Sequence, residues 1–438
     1  MFLALSNSWP LLFGMGLIML GNGLQGSLLG VRASQEGFDT TITGLVMSGY
    51  YMGLIFGCWS APKMVARVGH IRIFGALASL ASTSILLQAI FVNPWIWLAM
   101  RMITGFSYAG IFIVAESWLN DASENDSRGQ LLSVYMLISL GGLAGGQFLL
   151  NVALPSSYEL FILVSLLVSL ALIPILTSVT KAPSFDVYES VGILQLYRVS
   201  PIGIVGMFII GMIMGGIFGM GAVYTTGIGM SVQDVSFFMG AIILGGFLFQ
   251  YPLGWISDRI GRRYIIIISC IGAATTSFFA MTYAGQGLLF FAIIATIGGL
   301  SMPLYSLCSA QTNDYLTAQQ MVAASGTLVL VNSIGAALGA PVVGFSMALF
   351  GPNAFYGSLG GMMSLVALFA LWRSTQRADI SEEDRGDFVV MAPTPLSVSL
   401  TLDVEPEVVE AAAAEDAEAV QASFEELTTE LQNPEDKQ

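Results

Sequence analysis

Histidine, cysteine and charged residues are scarce in this chain, and each shortage excludes a class of chemistry. The 438 residues include one histidine and three cysteines, and 10% are charged, against roughly 25% in soluble globular proteins. His70 alone cannot build a metal cluster or a histidine-based relay, and the cysteines lie far apart without metal-ligand or disulfide spacing. No G-x-x-x-x-G-K-[ST] loop and no large basic patch occurs, which excludes a P-loop pump and disfavours nucleic-acid binding. We therefore expect neither an enzyme nor a metal or cofactor site.

Long apolar runs are what the chain has instead. Hydrophobic residues make up 55% of the sequence, and the mean hydropathy is +0.77. Runs of about eighteen apolar residues or more predict helices that cross a lipid bilayer. The sequence therefore predicts an all-α membrane protein with twelve crossings, at residues 9–29, 41–60, 71–92, 95–119, 131–152, 158–177, 201–224, 235–253, 265–283, 288–308, 322–350 and 354–372.

The distribution of positive charge predicts how these helices are oriented, because short cytoplasmic loops are rich in lysine and arginine. With the N-terminus inside, the outer loops hold Arg32 alone. The inner loops then hold Lys63, Arg67, Arg72, Arg128, Lys181, Arg198, Arg259, Arg262 and Arg263. Both termini are therefore expected in the cytoplasm. Most of the 29 acidic residues lie from Asp379 onward, so the net charge of −14 belongs to the C-terminal segment and says nothing about a substrate.

The chain also repeats itself. Four landmarks recur in the same order at offsets of 191 to 193 residues: Pro10 and Pro201, the loops at 67–70 and 259–262, Asn120-Asp121 and Asn313-Asp314, and Gly142/Gly146 and Gly335/Gly339. A parallel duplication of six helices predicts two pseudo-symmetric bundles, which transporters use for alternating access around a central site. The predicted regions are an N-terminal bundle at 1–178, a cytoplasmic linker at 179–199, a C-terminal bundle at 200–375 and a disordered acidic tail at 376–438.

One loop carries a recognisable motif. It resembles the signature G-x-x-x-D-R-x-G-R-R of the major facilitator superfamily at every defined position, namely Gly254, Asp258, Arg259, Gly261, Arg262 and Arg263. Arg101 followed by Gly105 looks like a second motif of that family. The stretch A-E-S-W-L-N at 115–120 and Gly146-Gln147 are similar to the YcaD-like bacterial branch. The resemblance implies a transporter in the bacterial inner membrane, acting as a monomer on a small-molecule substrate.

The resemblance also implies an inner gate. Asp258 would face the N-terminal end of the fifth helix, where free N–H groups and a partial positive charge stabilise a carboxylate. The alternative is a plain positively charged loop. The first-half copy keeps Arg67, Gly69 and Arg72 but has Ala66 in place of the aspartate, so we expect the matching latch there to be weak or absent.

Polar side chains inside the predicted helices are the candidates for a substrate cavity. Arg101 is either a structural cation, held by carbonyl groups and by the amides of Asn22 and Gln25, or an attractor for an anionic or strongly polar substrate. Glu116 is the one candidate proton carrier, with a structural role near the inner end as its alternative. Further predicted cavity residues are Tyr108, Gln147, Tyr224, Gln250 and Tyr305, each of which could instead join two helices.

The sequence therefore favours a secondary transporter for a small organic solute, with a proton as the candidate coupling ion. A facilitative uniporter and a multidrug or metabolite efflux antiporter share the fold and remain alternatives. A proton-driven drug exporter is less favoured, because the first helix lacks an embedded carboxylate.

Overall fold

The computed structural model describes residues 2–121, 125–177, 192–283 and 287–376, and within these segments every regular element is an α-helix. In the core of a bilayer no water is present to bond the backbone, so an apolar segment satisfies its own N–H and C=O groups by forming a helix. In chain order the helices are α1 (Phe2–Gln35), α2 (Thr40–Val68), α3 (His70–Ile90), α4 (Pro94–Asp121), α5 (Asn125–Leu149), α6 (Glu159–Leu176), α7 (Ile193–Val199), α8 (Pro201–Gly227), α9 (Val232–Ile260), α10 (Arg262–Thr282), α11 (Leu288–Ser301), α12 (Leu304–Asn313), α13 (Ala318–Phe350) and α14 (Ala354–Ser374).

The predicted crossings are present in the described residues. Eleven segments are long and apolar enough to cross a membrane, and in α5 the apolar part is the shorter stretch Ser133–Leu149. Because α5 as a whole has 25 residues, about 37 Å at 1.5 Å per residue, it completes the twelve. The all-α membrane fold is therefore confirmed.

Two details differ from the sequence prediction. The tenth crossing is not one helix, because it is divided at Met302-Pro303 into α11 and α12, and a proline inside a helix removes a hydrogen-bond donor and clashes with the preceding turn. The short helix α7 was not predicted. It precedes Pro201, which begins α8 at a first-turn position where proline costs no hydrogen bond.

The duplication appears in the packing of equivalent glycines. In the first half, a Cβ added to Gly53 would overlap the carbonyl oxygen of Met102, and one added to Gly105 would overlap that of Tyr50. In the second half a Cβ added to Gly245 would overlap the Ala295 carbonyl, and one added to Gly298 would overlap the Ile242 carbonyl. Each position in the second set lies 192 or 193 residues after its counterpart. Helices α2 and α4 therefore pack in the same register as α9 and α11.

A second pair of glycines repeats this pattern on the inner helices of each bundle. A Cβ on Gly146 of α5 would meet the Leu20 carbonyl of α1, and a Cβ on Gly339 of α13 would meet the Met212 carbonyl of α8. Small residues allow such close backbone approach between membrane helices. The glycines that mark the repeat in sequence are thus contact points that the fold needs.

Contacts between the two bundles lie near the helix ends that adjoin the loop at 36–39. The Thr40 hydroxyl donates to the Gly344 carbonyl at 3.0 Å, and the Asn151 amide donates to the Ser236 hydroxyl at 2.9 Å. A Cβ on Gly44 would lie 2.6 Å from the Ala340 carbonyl. We call this end of the molecule, defined by these six residues, the joined end.

Several predictions fall outside the described residues. These are the disordered acidic tail beyond residue 376, the first part of the linker at 179–199 with Lys181, and the side chain of Arg128. The structure places the joined end on one side of the bundles, but the side of the membrane that it faces rests on the lysine and arginine distribution alone.

Candidate functional site

A cavity of about 300 Å³ lies between the two bundles. Pseudo-equivalent residues from both halves line it, as shown by Phe112 and Tyr305 and by Met47 and Met239. Five of the predicted cavity residues contribute to its wall, namely Asn22, Arg101, Gln147, Gln250 and Tyr305. The cavity therefore lies at the interface of the two pseudo-symmetric bundles, where an alternating-access transporter binds its substrate.

Arg101 is the one charged residue in the described lining of this cavity. Its side chain is 6% exposed, and its guanidinium carbon lies 4.8 Å from the centre of the Tyr50 ring. The Nε and Nη1 atoms are buried and have no hydrogen-bond partner in the described residues. Burying a cation with unmatched donors is costly, and a ring contact offsets only part of that cost. Neither Gln25 nor a protein carboxylate supplies what the guanidinium lacks.

Two tyrosines beside Arg101 were not predicted from the sequence. Tyr50 and Tyr51 line the cavity, with ring centres 5.3 Å apart, and the Asn22 side chain hydrogen-bonds the Tyr50 hydroxyl. Together with Arg101 they form what we call the polar pole: Asn22, Tyr50, Tyr51 and Arg101. A comparison of the two halves would have indicated them, because the equivalent positions 242 and 243 are both isoleucine.

Three predicted cavity residues do not line the cavity. Gln25 is buried and donates to the Gln88 side chain at 3.3 Å, joining α1 to α3. Tyr108 packs behind the wall, with its ring centre 6.1 Å from that of Tyr50. Tyr224 stacks on Phe355 with ring centres 5.0 Å apart. In each case a partner on another helix takes up the side chain, so it cannot reach the cavity.

Two amides in the lining also join helices. Gln147 of α5 donates to the Gly23 carbonyl of α1 at 3.0 Å and accepts from the Ser27 hydroxyl. Gln250 of α9 donates to the Ser306 hydroxyl of α12 at 2.9 Å. Such contacts occupy polar atoms that would otherwise face the cavity, so these amides hold the wall in place and offer a ligand fewer free groups.

Glu116 is fully buried in α4 and is not part of the cavity wall. The Tyr135 hydroxyl on α5 hydrogen-bonds its carboxyl group, and Tyr305 of α12 lies close enough to interact with its charge. A structural role near the inner end stays the alternative, but the carboxylate is not solvated as that role could allow, because Glu116 is 0% exposed. Its role in proton coupling stays a prediction.

The loop motif of the second half forms a buried ion-pair cluster. Arg262 Nε lies 2.9 Å from Asp314 Oδ2 at the end of α12, and Arg262 Nη2 lies 3.7 Å from Asp258 Oδ1. The side chains of Arg262 and Asp314 are 2% and 5% exposed. Gly261 has φ +117 and forms the tight turn between α9 and α10, a conformation that favours glycine. Arg263 is buried beside it, Gly254 is buried in α9, and Arg259 lies over the Trp255 ring at 3.6 Å.

The first half lacks the motif aspartate that contacts Arg262 in the second half. Ala66 replaces the aspartate, and Arg67 and Arg72 are exposed. His70 occupies the position of Arg262. The sequence had suggested a loop there, but His70 begins α3, because Gly69 makes the chain turn in one residue with φ +93. His70 is buried and bonds the Ser117 hydroxyl at 3.1 Å. The predicted latch itself involves the first turn of α5, whose side chains lie outside the described residues, and it stays a prediction.

Comparisons with known proteins agree with this architecture. The chain is 28% identical over 369 residues to the uncharacterized MFS-type transporter YE1530 of Yersinia enterocolitica, covering 83% of this chain and 94% of the relative. It is 23% identical over 368 residues to the uncharacterized MFS-type transporter YcaD of Escherichia fergusonii, covering 84% and 95%. The crystal structure of the nucleoside transporter NupG (D323A mutant) superposes with a TM-score of 0.71 at 13% identity, covering 83% of this chain and 98% of that one.

The family assignment rests on the largest part of the chain. The family model described as Major Facilitator Superfamily matches residues 11–247 and 203–402, so it covers both bundles and the cavity between them. A helical membrane protein of this kind moves small solutes and is not an enzyme. The chain belongs to the Major Facilitator Superfamily, and its similarity to YcaD-type transporters over most of its length confirms the resemblance to that branch.

Proposed function

We propose that this protein is a secondary active transporter that moves a small organic solute, anionic or strongly polar, across the bacterial inner membrane. The observation that carries the proposal is a cavity between two equivalent bundles with one buried cation, Arg101, whose Nε and Nη1 have no partner in the described residues. A monomer suffices, because one chain supplies both walls. In alternating access the bundles rock about this cavity, so that it opens to one side of the membrane at a time.

The lysine and arginine distribution puts both termini in the cytoplasm. With that orientation the joined end faces outward, and the structure corresponds to an inward-facing state. Transport then requires the joined end to separate, breaking the Thr40–Gly344 and Asn151–Ser236 hydrogen bonds. Two bonds of this kind contribute about 1 kcal/mol each, a cost small enough for a solute-driven or proton-driven step.

Coupling to a proton is supported by the burial of Glu116 in α4 and its hydrogen bond to Tyr135 of α5. A carboxyl group desolvated in this way can take up and release a proton. A uniporter would need no such group, and an efflux antiporter would release solute outward as protons enter. A change of internal pH that depends on the solute separates coupled transport from the uniporter.

Locking the joined end should stop alternation, and a cysteine reporter can show this without knowledge of the solute. In a background with Cys58, Cys270 and Cys308 replaced by alanine, Ser139→Cys gives a nearly isosteric reporter in the cavity wall. We expect a membrane-impermeant maleimide to label it from both faces of oriented vesicles. Adding Asn151→Cys and Ser236→Cys and cross-linking them should abolish labelling from the outer face and spare the inner face.

The matched controls carry only one of the two cross-linking cysteines and should still be labelled from both faces. Reduction of a disulfide cross-link should restore outer labelling. A reporter that is labelled from one face alone in the uncross-linked protein would contradict alternating access.

Replacing the Asp258 carboxylate should change how strongly the same cysteine reporter is labelled from the outer face. In the latch proposal Asp258 holds the inner gate closed in the outward-facing state, and Asp258→Asn removes the charge without changing the size. The outward-facing population should fall, and outer labelling with it, by about tenfold if the lost interaction is worth about 1.4 kcal/mol. The control is Asp234→Asn at the opposite end of α9, where the carboxylate accepts a hydrogen bond from Ser231 and from no other side chain in the described part of the chain. Equal outer labelling of Asp258→Asn and wild type would remove the latch.

A further inference from the structure

The two halves of the cavity differ in charge although they share one fold. Arg101 lies one residue before Met102, whose carbonyl packs against Gly53, and its equivalent Ile294 lies one residue before Ala295, whose carbonyl packs against Gly245. By the same registers Tyr50 and Tyr51 correspond to Ile242 and Ile243. The three isoleucines are 1%, 2% and 2% exposed.

This difference shows that helix packing does not require the polar pole. In the second bundle the same backbone contacts form around three isoleucines, which bury no charge and leave no donor unmatched. Burying a cation is costly, and packing does not need this one. A ligand that accepts hydrogen bonds from the guanidinium would explain why it is buried here. An anionic group on a ligand would supply the partner that Arg101 lacks.

The charged side chains in the cavity lining limit the ligand to a single negative charge. Arg101 is the one cation in the described lining, and that lining holds no carboxylate to bind an ammonium group. A second negative charge on the ligand would have no cationic partner in the described lining. Phosphate esters and dicarboxylates, which carry about two charges, are thereby disfavoured.

The wall contributed by the second bundle is uncharged and mostly apolar. Met214, Phe218, Met239, Phe247 and Met302 line it, and methionine fills irregular space and adapts to different apolar shapes. Its two amides are engaged with the protein, since Gln250 donates to Ser306 and Asn332 donates to the Met207 carbonyl at 3.1 Å. The other polar groups of this wall are the hydroxyls of Tyr305, Ser306 and Ser333. A sugar or other ligand rich in hydroxyl groups would find few free partners here, whereas a hydrocarbon or aromatic body would be well covered.

We propose that the cavity binds a small amphipathic organic monoanion, with its carboxylate on Arg101 at the polar pole and its apolar body against the second bundle. This rests on the proposed function and names the substrate class of the same cavity. At about 300 Å³ the space is at the small end of ligand sites, which range from about 300 to 1,000 Å³. An aromatic or short-chain monocarboxylate therefore fits better than a long-chain lipid.

Equilibrium binding to the purified full-length protein tests this with a matched probe series. The probes are benzoate, 3-phenylpropionate, benzyl alcohol, benzylamine, terephthalate and acetate, which vary charge and apolar size separately. We expect the two aromatic monoanions to bind at least tenfold more tightly than the neutral, cationic, dianionic and purely polar probes. Arg101→Met should remove that preference, and Arg101→Lys should keep part of it. Phe218→Ala should lower the affinity for the aromatic acids but keep their preference over benzyl alcohol.

Thermal unfolding of the same variants separates a ligand role from a structural one. If Arg101 serves a ligand, Arg101→Met should have a Tm equal to or above that of the wild type without ligand, because an unmatched buried cation is gone. A structural cation predicts a lower Tm instead. Arg373→Met at the end of α14, a helix that contributes no residue to the described cavity lining, is the charge-matched control and should change neither binding nor preference.

Equal binding of benzoate and benzyl alcohol to the wild type, an intact preference in Arg101→Met, or no binding by any monoanion in the series would overturn the proposal. The cysteine reporter stays independent of these results. Labelling from both faces combined with failed anion binding rejects the substrate class alone, whereas labelling from one face rejects the transport mechanism.

Discussion

Gly105→Ala should prevent the first bundle from folding stably, although it adds a single methyl group. The added Cβ would overlap the carbonyl oxygen of Tyr50, with the backbone nitrogen of Leu54 3.0 Å away. Backbone atoms cannot rotate aside as a side chain can, so α2 and α4 would have to separate along their length. Overpacking of this kind typically costs about 1–3 kcal/mol and occasionally more, and the backbone contact puts Gly105→Ala at the upper end. The measurement is the yield of monodisperse protein in detergent and its Tm.

The matched control is Gly141→Ala on α5, where nothing lies within 4 Å of the added Cβ. Alanine favours helix over glycine by about 1 kcal/mol at an exposed interior position, so the Tm of Gly141→Ala should stay level or rise. Gly298→Ala, the second-half equivalent of Gly105→Ala, should be as damaging, since its Cβ would overlap the Ile242 carbonyl. A stable Gly105→Ala protein would show that the two helices are not held at this distance.

The same glycines explain why the fold could be predicted from the sequence. A bilayer fixes the length and polarity of each crossing, so the apolar runs could be found directly. The repeat of Gly142 and Gly146 as Gly335 and Gly339 then gave the division into two bundles, because both pairs meet the carbonyls of an equivalent helix. The division of the tenth crossing at Pro303 was readable in principle, but the surrounding apolar run concealed it.

The cavity was only partly predictable, and the reason lies in the helices themselves. Arg101 could be found because a charge at that depth is costly wherever it points. Tyr50 and Tyr224 could not be told apart, because an apolar helix carries no polar face from which to deduce its orientation. Tyr50 turns toward the cavity beside Arg101, whereas Tyr224 stacks on Phe355 in α14. The burial of His70 was missed because a single glycine with φ +93 ends one helix and begins the next.

The ion-pair cluster around Arg262 should contribute more to stability than any other charged group in the described residues. Arg262→Met leaves Asp314, which is 5% exposed, without the cation 2.9 Å away and removes the contact of Asp258 at 3.7 Å. Removing one partner of a buried pair typically costs about 3–5 kcal/mol, because a charge is left buried without compensation. Chemical unfolding in detergent should show this loss in the free energy of unfolding. Arg259→Met is the control, since Arg259 is exposed over the Trp255 ring and should cost about 1 kcal/mol or less.

A double variant decides whether the charge or the shape of Arg262 matters. Arg262→Met combined with Asp314→Leu replaces the pair by apolar groups, and such replacements are often neutral, so most of the lost stability should return. In the first half a histidine occupies the position of Arg262, and His70 bonds Ser117 there at 3.1 Å. If the double variant is no more stable than Arg262→Met, the cluster is held by packing and not by charge. If stability returns, the fold can be built without the ion pair, as expected of charges that serve the proposed gate.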